Sequence, residues 1–276
     1  MIKLKTFGSF TVGNGLTSVQ EGAWRSEKLE KLFVYLAMNR NRGVCIEDIS
    51  EAIWQVEEET DNPVGALKNL AYRLRKALRD ASFGEECIVS VRGGLYKWND
   101  DVEVTIDVEE FDRYINEAEM AFCRSKETAI ESYEKAIALY HGDFLPLRTD
   151  THWFMTLNAF YHSRYVNTVK ALAKLYIDTG CYEKLEQLCT RAIVYERSDE
   201  QIYSYLIVAR MRTKKVQMAF DTYETAKAIM DKDLGVRKTV MLNKVYEELL
   251  SVTKGASSYN ICLLYTSPSP RDRTRS

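Results

Sequence analysis

Pro63-Val64-Gly65-Ala66-Leu67-Lys68-Asn69-Leu70-Ala71-Tyr72-Arg73-Leu74-Arg75-Lys76-Ala77-Leu78-Arg79-Asp80 reads as one helix with two different faces. At about 100° per residue, Leu67, Leu70, Ala71, Leu74 and Leu78 share a stripe, which predicts packing on a core. Pro63 suits the first helical turn, where its missing N–H has no partner to lose. The opposite face carries Asn69, Tyr72, Arg73 and Lys76, with Lys68, Arg75 and Arg79 on the flanks. Arg can bond guanine bidentately and Asn can bond adenine. Lys and the flanking Arg suit phosphates. On charge alone, a solvated basic face on a surface helix explains the same pattern equally well.

The residues that follow decide between the two. Ile88–Val91 and Leu95–Trp98 flank Gly93-Gly94, so two short strands around a two-residue glycine turn are expected. Arg92 sits beside that turn, where a narrow minor groove would concentrate negative potential on it. Upstream, Ser26 is placed to cap a helix with a stripe at Leu29, Leu32, Phe33, Leu36 and Ala37, and Ile46, Ile49 and Ile53 give a second, short one. Three helices and a hairpin predict a winged helix. The preceding segment, Gly43–Val64, holds seven carboxylates and no Lys or Arg, so the region is polarised rather than basic throughout. Ile2 and Leu4 alternating with Lys3 and Lys5 predict a first strand, with turns at Gly8-Ser9 and Gly13-Asn14-Gly15. With a core of Leu32, Phe33, Leu36, Ile49, Leu70 and Leu74, a fragment ending near Trp98 is expected to fold alone.

The whole chain has 276 residues, 38 Lys+Arg against 40 Asp+Glu, and 46% hydrophobic residues. That is enough to build two ordinary domains, and it excludes a strongly basic nucleic-acid coat. Six scattered cysteines form no C-x-x-C pair, and three histidines give no metal spacing, so no metal or cofactor is expected. No nucleophile elbow, P-loop, H-E-x-x-H or dinucleotide fingerprint occurs, and the chain is expected not to be an enzyme. His152 and His162 lie on an aromatic-rich stretch and read as core or partner packing in preference to ligation. The absence of a long apolar run argues against a membrane span, and no signal peptide is expected, so the reading is cytoplasmic.

After Asp101 the texture turns helical. Asp107 with Glu110 three residues later suggests an N-cap with a capping-box partner. Small and aromatic residues recur at i, i+4 and i+7 in Ala129/Tyr133/Ala136, Leu185/Cys189/Ala192 and Ala219/Tyr223/Ala226. The last two sets are offset by 34 residues, the period of a tetratricopeptide hairpin, and Thr179 and Thr213 fall in the same register. The domains expected are 1–100, a winged helix, and 101–254, an all-α tetratricopeptide-like repeat, followed by a disordered tail, 255–276. From about residue 261 that tail resembles translated sequencing-adapter sequence rather than native protein, a basic functional tail being the competing reading.

Several of these motifs resemble a known family. Leu74-Arg75-Lys76-Ala77-Leu78 and Val91-Arg92-Gly93-Gly94-Leu95-Tyr96-Lys97-Trp98 are similar to the recognition helix and wing of OmpR/PhoB-type domains. The opening Leu4-Lys5-Thr6-Phe7-Gly8-Ser9-Phe10-Thr11-Val12 and Ile53-Trp54 resemble the SARP branch. Asp107-Val108-Glu109-Glu110-Phe111, Tyr140-His141-Gly142-Asp143-Phe144-Leu145-Pro146 and Leu234-Gly235-Val236 resemble the bacterial transcriptional activator domain that follows it. Gln55 and Arg237 stand where that family often has Pro. The resemblance implies a bacterial transcription activator on promoter direct repeats, with head-to-tail protomers and RNA polymerase as partner. Lys68, Asn69, Tyr72, Arg73, Arg75 and Lys76 would meet DNA in the major groove and Arg92 in the minor groove. The competing reading is an interaction scaffold whose winged helix no longer binds DNA.

Overall fold

Strand β1 (Ile2–Lys5) buries Ile2 and Leu4 and exposes Lys3 and Lys5, as the alternation predicts. It pairs antiparallel with β2 (Thr11–Gly13), which pairs antiparallel with β3 (Ser18–Gln20). This computed structural model describes residues 1–55, 62–83, 87–91, 94–146, 148, 150–233 and 239–255. Helices α1 (Glu27–Met38), α2 (Ile46–Ile53) and α3 (Pro63–Asp80) follow and pack on one another. A hairpin of β4 (Ile88–Val91) and β5 (Leu95–Trp98) comes next. Its strands pair Val91 with Leu95, so the connection is three residues, not the two expected. Gly94 takes φ 79°, the left-handed position that a three-residue hairpin places last.

Strand β6 (Val104–Ile106), not expected from the sequence, pairs parallel with β1 and completes the sheet order β3-β2-β1-β6. This strand also corrects the reading of Asp107. Helix α4 (Asp107–Ala121) has Ile106 as its N-cap, and Asp107 is its first helical residue. The Asp107 carboxylate accepts hydrogen bonds from Thr6 N at 2.8 Å, Phe7 N at 2.9 Å and Thr6 Oγ1 at 2.6 Å. Because β6 lies against β1, the side chain meets the end of β1 as well as Val108 N of its own helix, at 2.9 Å. Burial pushes this carboxyl above its ordinary pKa, while the backbone donors of Phe7 and Thr6 pull the other way.

The chain divides into two compact units, the first being Met1–Thr168 and the second starting at Val169. In the first, α4 and α5 (Lys126–Leu139) form an antiparallel-type hairpin, and α6 (His152–Asp178) begins. The core of the first hundred residues is closed by these later ones. Phe7, 3% exposed, meets the edges of Phe111 at 5.2 Å and Tyr161 at 5.7 Å. Leu145 N donates to Thr6 O, and Gly8 N to Asp143 O, each at 2.9 Å. Gly8, at φ 80°, is required here, since a Cβ would lie 2.5 Å from the carbonyl oxygen of His141. A fragment ending near Trp98, expected to fold alone, lacks these contacts. Such a fragment would uncover Phe7 and remove β6.

Helix α1 is buried on all sides from Leu29 to Ala37, including Glu30 and Lys31 at 2% each. The residues before α6 cover them. Arg148 bonds Glu30, Asp150 bonds Lys31, and Thr151 Oγ1 donates to Ala52 O at 2.8 Å. The two histidines part company on α6. His152 is exposed and lies off the core that Phe154 enters and that Trp153 joins through Tyr35 at 4.9 Å. His162 Nδ1 lies 2.8 Å from Asp143 Oδ1, so it serves a polar contact rather than apolar packing.

The second unit contains the end of α6, α7 (Tyr182–Tyr195), α8 (Glu200–Arg212), α9 (Val216–Asp233) and α10 (Val240–Gly255). Its helices pair as tetratricopeptide-like hairpins, α7 on α8 and α8 on α9. All nine residues of the small-and-aromatic sets are buried, none above 5% exposure. Small Ala192, Ala219 and Ala226 let helices approach, and Tyr223 fills the gap, stacked on Tyr246 at 4.1 Å. Glu200 Oε1 accepts from Met241 N at 2.7 Å and Leu242 N at 3.0 Å, capping α10 from another helix. Leu234–Arg237 and the tail from 256 lie outside the described residues.

Candidate nucleic-acid interface

Helix α3 is built as its sequence demands. Asn62 caps it, Oδ1 accepting from Gly65 N at 2.8 Å, and Pro63 opens the first turn. A Cβ on Gly65 would fall 2.7 Å from the Asn62 side chain, so glycine keeps the cap in place. Leu67, Leu70, Ala71, Leu74 and Leu78 are buried against the core, at 6% exposure or less. The opposite side is open. Lys68, Asn69, Tyr72, Arg73, Lys76 and Arg79 are all exposed, Tyr72 at 65%. Five cations and one carboxylate, Asp80, lie on this helix, and positive side chains of this density attract a polyanion.

Arg75 behaves differently from its neighbours. It is half-buried, and its Nε donates to the carbonyl of Ile88 in β4 at 3.0 Å. Burial raises the Tyr96 hydroxyl pKa, and the nearby Arg75 charge pulls it back. Arg75 thus ties the helix to the hairpin. The α1–α2 connection braces the hairpin from another direction. Val44 N donates to Tyr96 O at 2.8 Å, and Tyr96 N returns the bond to Val44 O at 2.9 Å. At the base, Trp98 is 2% exposed, sets its ring edge-on to Phe33 at 5.4 Å, and donates through Nε1 to Val102 O at 2.8 Å. Arg92, the expected minor-groove residue, lies outside the described residues with Gly93.

The structure therefore brings Lys68, Asn69, Tyr72, Arg73 and Lys76 onto one open face and sets Arg75 behind it as a brace. Two further residues reach the end of α3, one marked in the sequence only as part of a turn and the other not marked at all. Asn14 Nδ2 donates to Ser82 O at 3.0 Å, and Thr17 Oγ1 to Ala81 O at 2.9 Å, just past the helix end. The Asn-Gly pair at 14–15 was a legible turn signal, but its partner lies 68 residues away. Among the described residues no group of three His, Cys, Asp or Glu side chains is placed to hold a metal ion. No helix among them is long and apolar enough to cross a membrane.

Comparison with known proteins adds four findings. Residues 106–250 match the bacterial transcriptional activator domain. The chain is 23% identical over 238 residues to transcriptional regulator RedD of Streptomyces coelicolor, covering 85% of this chain and 67% of RedD. Among solved structures it resembles Mycobacterium tuberculosis EmbR in complex with low affinity phosphopeptide, with a TM-score of 0.69 at 19% identity. That match covers 91% of this chain and 65% of the EmbR chain, so the chain spans about two thirds of that structure's length. At this identity the likeness is one of fold. The tetratricopeptide domain of Arabidopsis OM64 also matches, at a TM-score of 0.37 and 14% identity over 52% of this chain and 98% of that one.

Proposed function

The chain belongs to the bacterial transcriptional activator domain family and is a transcriptional regulator of the SARP type; on that premise we propose that it is a sequence-specific DNA-binding activator. In this reading residues 1–100 act as a winged helix, with α3 in the major groove and the β4–β5 hairpin over the adjacent minor groove. Arg73 and Asn69 read base edges. Lys68, Tyr72 and Lys76 meet backbone or base edges beside them, and Arg92 enters the minor groove. Residues 101–254 supply the surface through which protomers meet head to tail on direct repeats and through which RNA polymerase is engaged. The protein works without a cofactor, in the bacterial cytoplasm where its DNA lies.

The observation that carries the reading is the open face of α3. Its polar side chains are exposed on a helix whose other side is firmly packed, and that helix is joined to the hairpin by Arg75. A scaffold would need no such pairing of helix and hairpin.

The test is selection of bound fragments from the source genome, followed by binding curves at two salt concentrations. Arg73→Ala should cost about 1–3 kcal/mol on the selected site and blur its selectivity. Lys76→Ala should weaken all sequences alike and flatten the salt slope by about one unit. Arg92→Ala should lose most where an A·T-rich step lies under the hairpin. Unchanged binding in all three, with folding intact, rejects DNA binding in favour of a protein-interaction scaffold.

A further inference from the structure

We infer that Asn14 and Thr17, in the turn between β2 and β3, are positioning residues for DNA recognition: they hold the far end of α3 and so fix the pose of its exposed face. The inference rests on the reading of α3 as the DNA-contacting helix.

The end of α3 is a sharp reversal. Phe83 N donates to Leu78 O and Ser82 N to Arg79 O, both at 2.9 Å, with Ser82 at φ 61°. This is the left-handed closure of a helix C-terminus, made here by serine rather than glycine. The reversal uses the carbonyls of Leu78 and Arg79 and leaves those of Ala81 and Ser82 directed at the β2–β3 turn. Thr17 and Asn14 donate to these two carbonyls. The donors are themselves fixed. Asn14 Oδ1 accepts from Leu16 N at 3.0 Å and Thr17 N at 2.8 Å. The Thr17 hydroxyl proton could also reach Asn14 Oδ1 at 3.2 Å, but Ala81 O is nearer. The turn is rooted in the sheet through Val12, which is fully buried.

Helix α3 is thus held at three points: by Asn62 at its start, by Arg75 against β4, and by the β2–β3 turn past its end. The apolar stripe supplies attraction but little direction, so alone it tolerates small slides and rotations. Hydrogen bonds are directional. Bidentate base contacts need the helix placed to within a fraction of an ångström, whereas phosphate attraction does not. Loosening the end of α3 should therefore cost discrimination before it costs general DNA affinity.

The experiment uses the full chain, a DNA fragment that the unaltered protein selects from its source genome, and a scrambled fragment of equal length. Thr17→Val removes the hydroxyl at constant shape, and Thr17→Ser restores it. Asn14→Asp keeps the acceptor that the turn needs and removes the donor to Ser82 O. Thr17→Val and Asn14→Asp should each lower the selected-to-scrambled affinity ratio about tenfold, the scale of one well-placed base contact. Scrambled-fragment affinity should hold, and Thr17→Ser should recover the ratio. An unchanged ratio in folded Thr17→Val, or Thr17→Ser no better than Thr17→Val, overturns the inference. Arg73→Ala separates the two levels. If it lowers the ratio while Thr17→Val does not, the positioning role alone fails. If Arg73→Ala also leaves the ratio unchanged, α3 does not read bases.

Discussion

Arg148 donates through Nη2 to Oε2 of Glu30, and both side chains are buried, 10% and 2% exposed. The pair joins helix α1 to the segment before α6, across 118 residues of chain. Glu30 is fully engaged, since its other oxygen accepts from Gly22 N at 2.7 Å. Arg148 also faces Glu21 at 3.2 Å and Glu27 at 3.9 Å. Next to it, Lys31 meets Asp150 and Glu27, and Gln55 donates to Asp150 at 2.9 Å. A buried ion pair adds little net stability, because desolvation offsets the Coulomb gain. Its effect is specific: Arg148 and Asp150 answer Glu30 and Lys31, the two charged side chains that α1 buries.

Removing one partner leaves the other charged and buried, and that is costly. Arg148→Met should destabilise the protein by about 3–5 kcal/mol, and Glu30→Met alone by a similar amount. The double substitution should recover most of the loss. Urea unfolding of the four proteins checks this. Additive losses would mean that the two side chains are not coupled.

A chain cut after Trp98 should show no cooperative thermal transition, because β6, Asp107, Phe111 and Arg148 are gone. A chain cut after Thr168 retains all of them and should melt cooperatively. Tryptophan fluorescence follows both, since Trp98 packs on Phe33 in the affected core. Two similar, sharp transitions would restore the first hundred residues as an independent folding unit.

What the sequence made legible was local. The α3 stripe, its open basic face and the β4–β5 hairpin follow from helical and strand periodicity within a few dozen residues. The buried sets on α5, α7 and α9 follow from spacing within one helix. What escaped was non-local. Three-residue β6 is a strand only because β1, about a hundred residues earlier, pairs with it. Asp107 looked like a cap because nothing nearby shows that Thr6 and Phe7 will claim its carboxylate. Nothing in the local pattern marks Glu30 and Lys31 for burial. Arg75, Asn14 and Thr17 act on backbone carbonyls, which carry no residue-type signal at all.

Asp143 gives a pH dependence of definite sign. Its contact with His162 lowers the carboxyl pKa, burial opposes this, and the Tyr140 hydroxyl bond at 2.6 Å lowers it again. A carboxyl depressed on folding lends stability above its ordinary value of about 4. That stability is lost as pH falls through the depressed value. Asp143→Asn should therefore be less stable than the unaltered protein at neutral pH, with the gap closing in acid. Denaturant midpoints from pH 7 down to pH 3 measure it. A gap that is constant with pH would remove the carboxylate's charge from the account.

The last prediction concerns two helix ends that are 34 residues apart. Thr179 Oγ1 donates to Leu175 O at 2.8 Å, and Thr213 Oγ1 to Ala209 O at 3.0 Å. Cys181 N closes on Tyr176 O and Lys215 N on Arg210 O, both at 2.8 Å. Between them stand Gly180 at φ 71° and Lys214 at φ 62°. The backbone is the same in both repeats, but only one has the residue that suits it. A side chain in the left-handed region costs about 1 kcal/mol relative to glycine. Lys214→Gly should therefore stabilise the chain by roughly that amount. Gly180→Ala should destabilise it by about as much through strain alone, since an added Cβ would meet nothing within 4 Å. The double variant should return to the starting stability, because the sites share no contact. Chemical denaturation of the three variants reads this directly. A Lys214→Gly variant less stable than the parent would mean that the lysine side chain contributes more than its backbone strain costs.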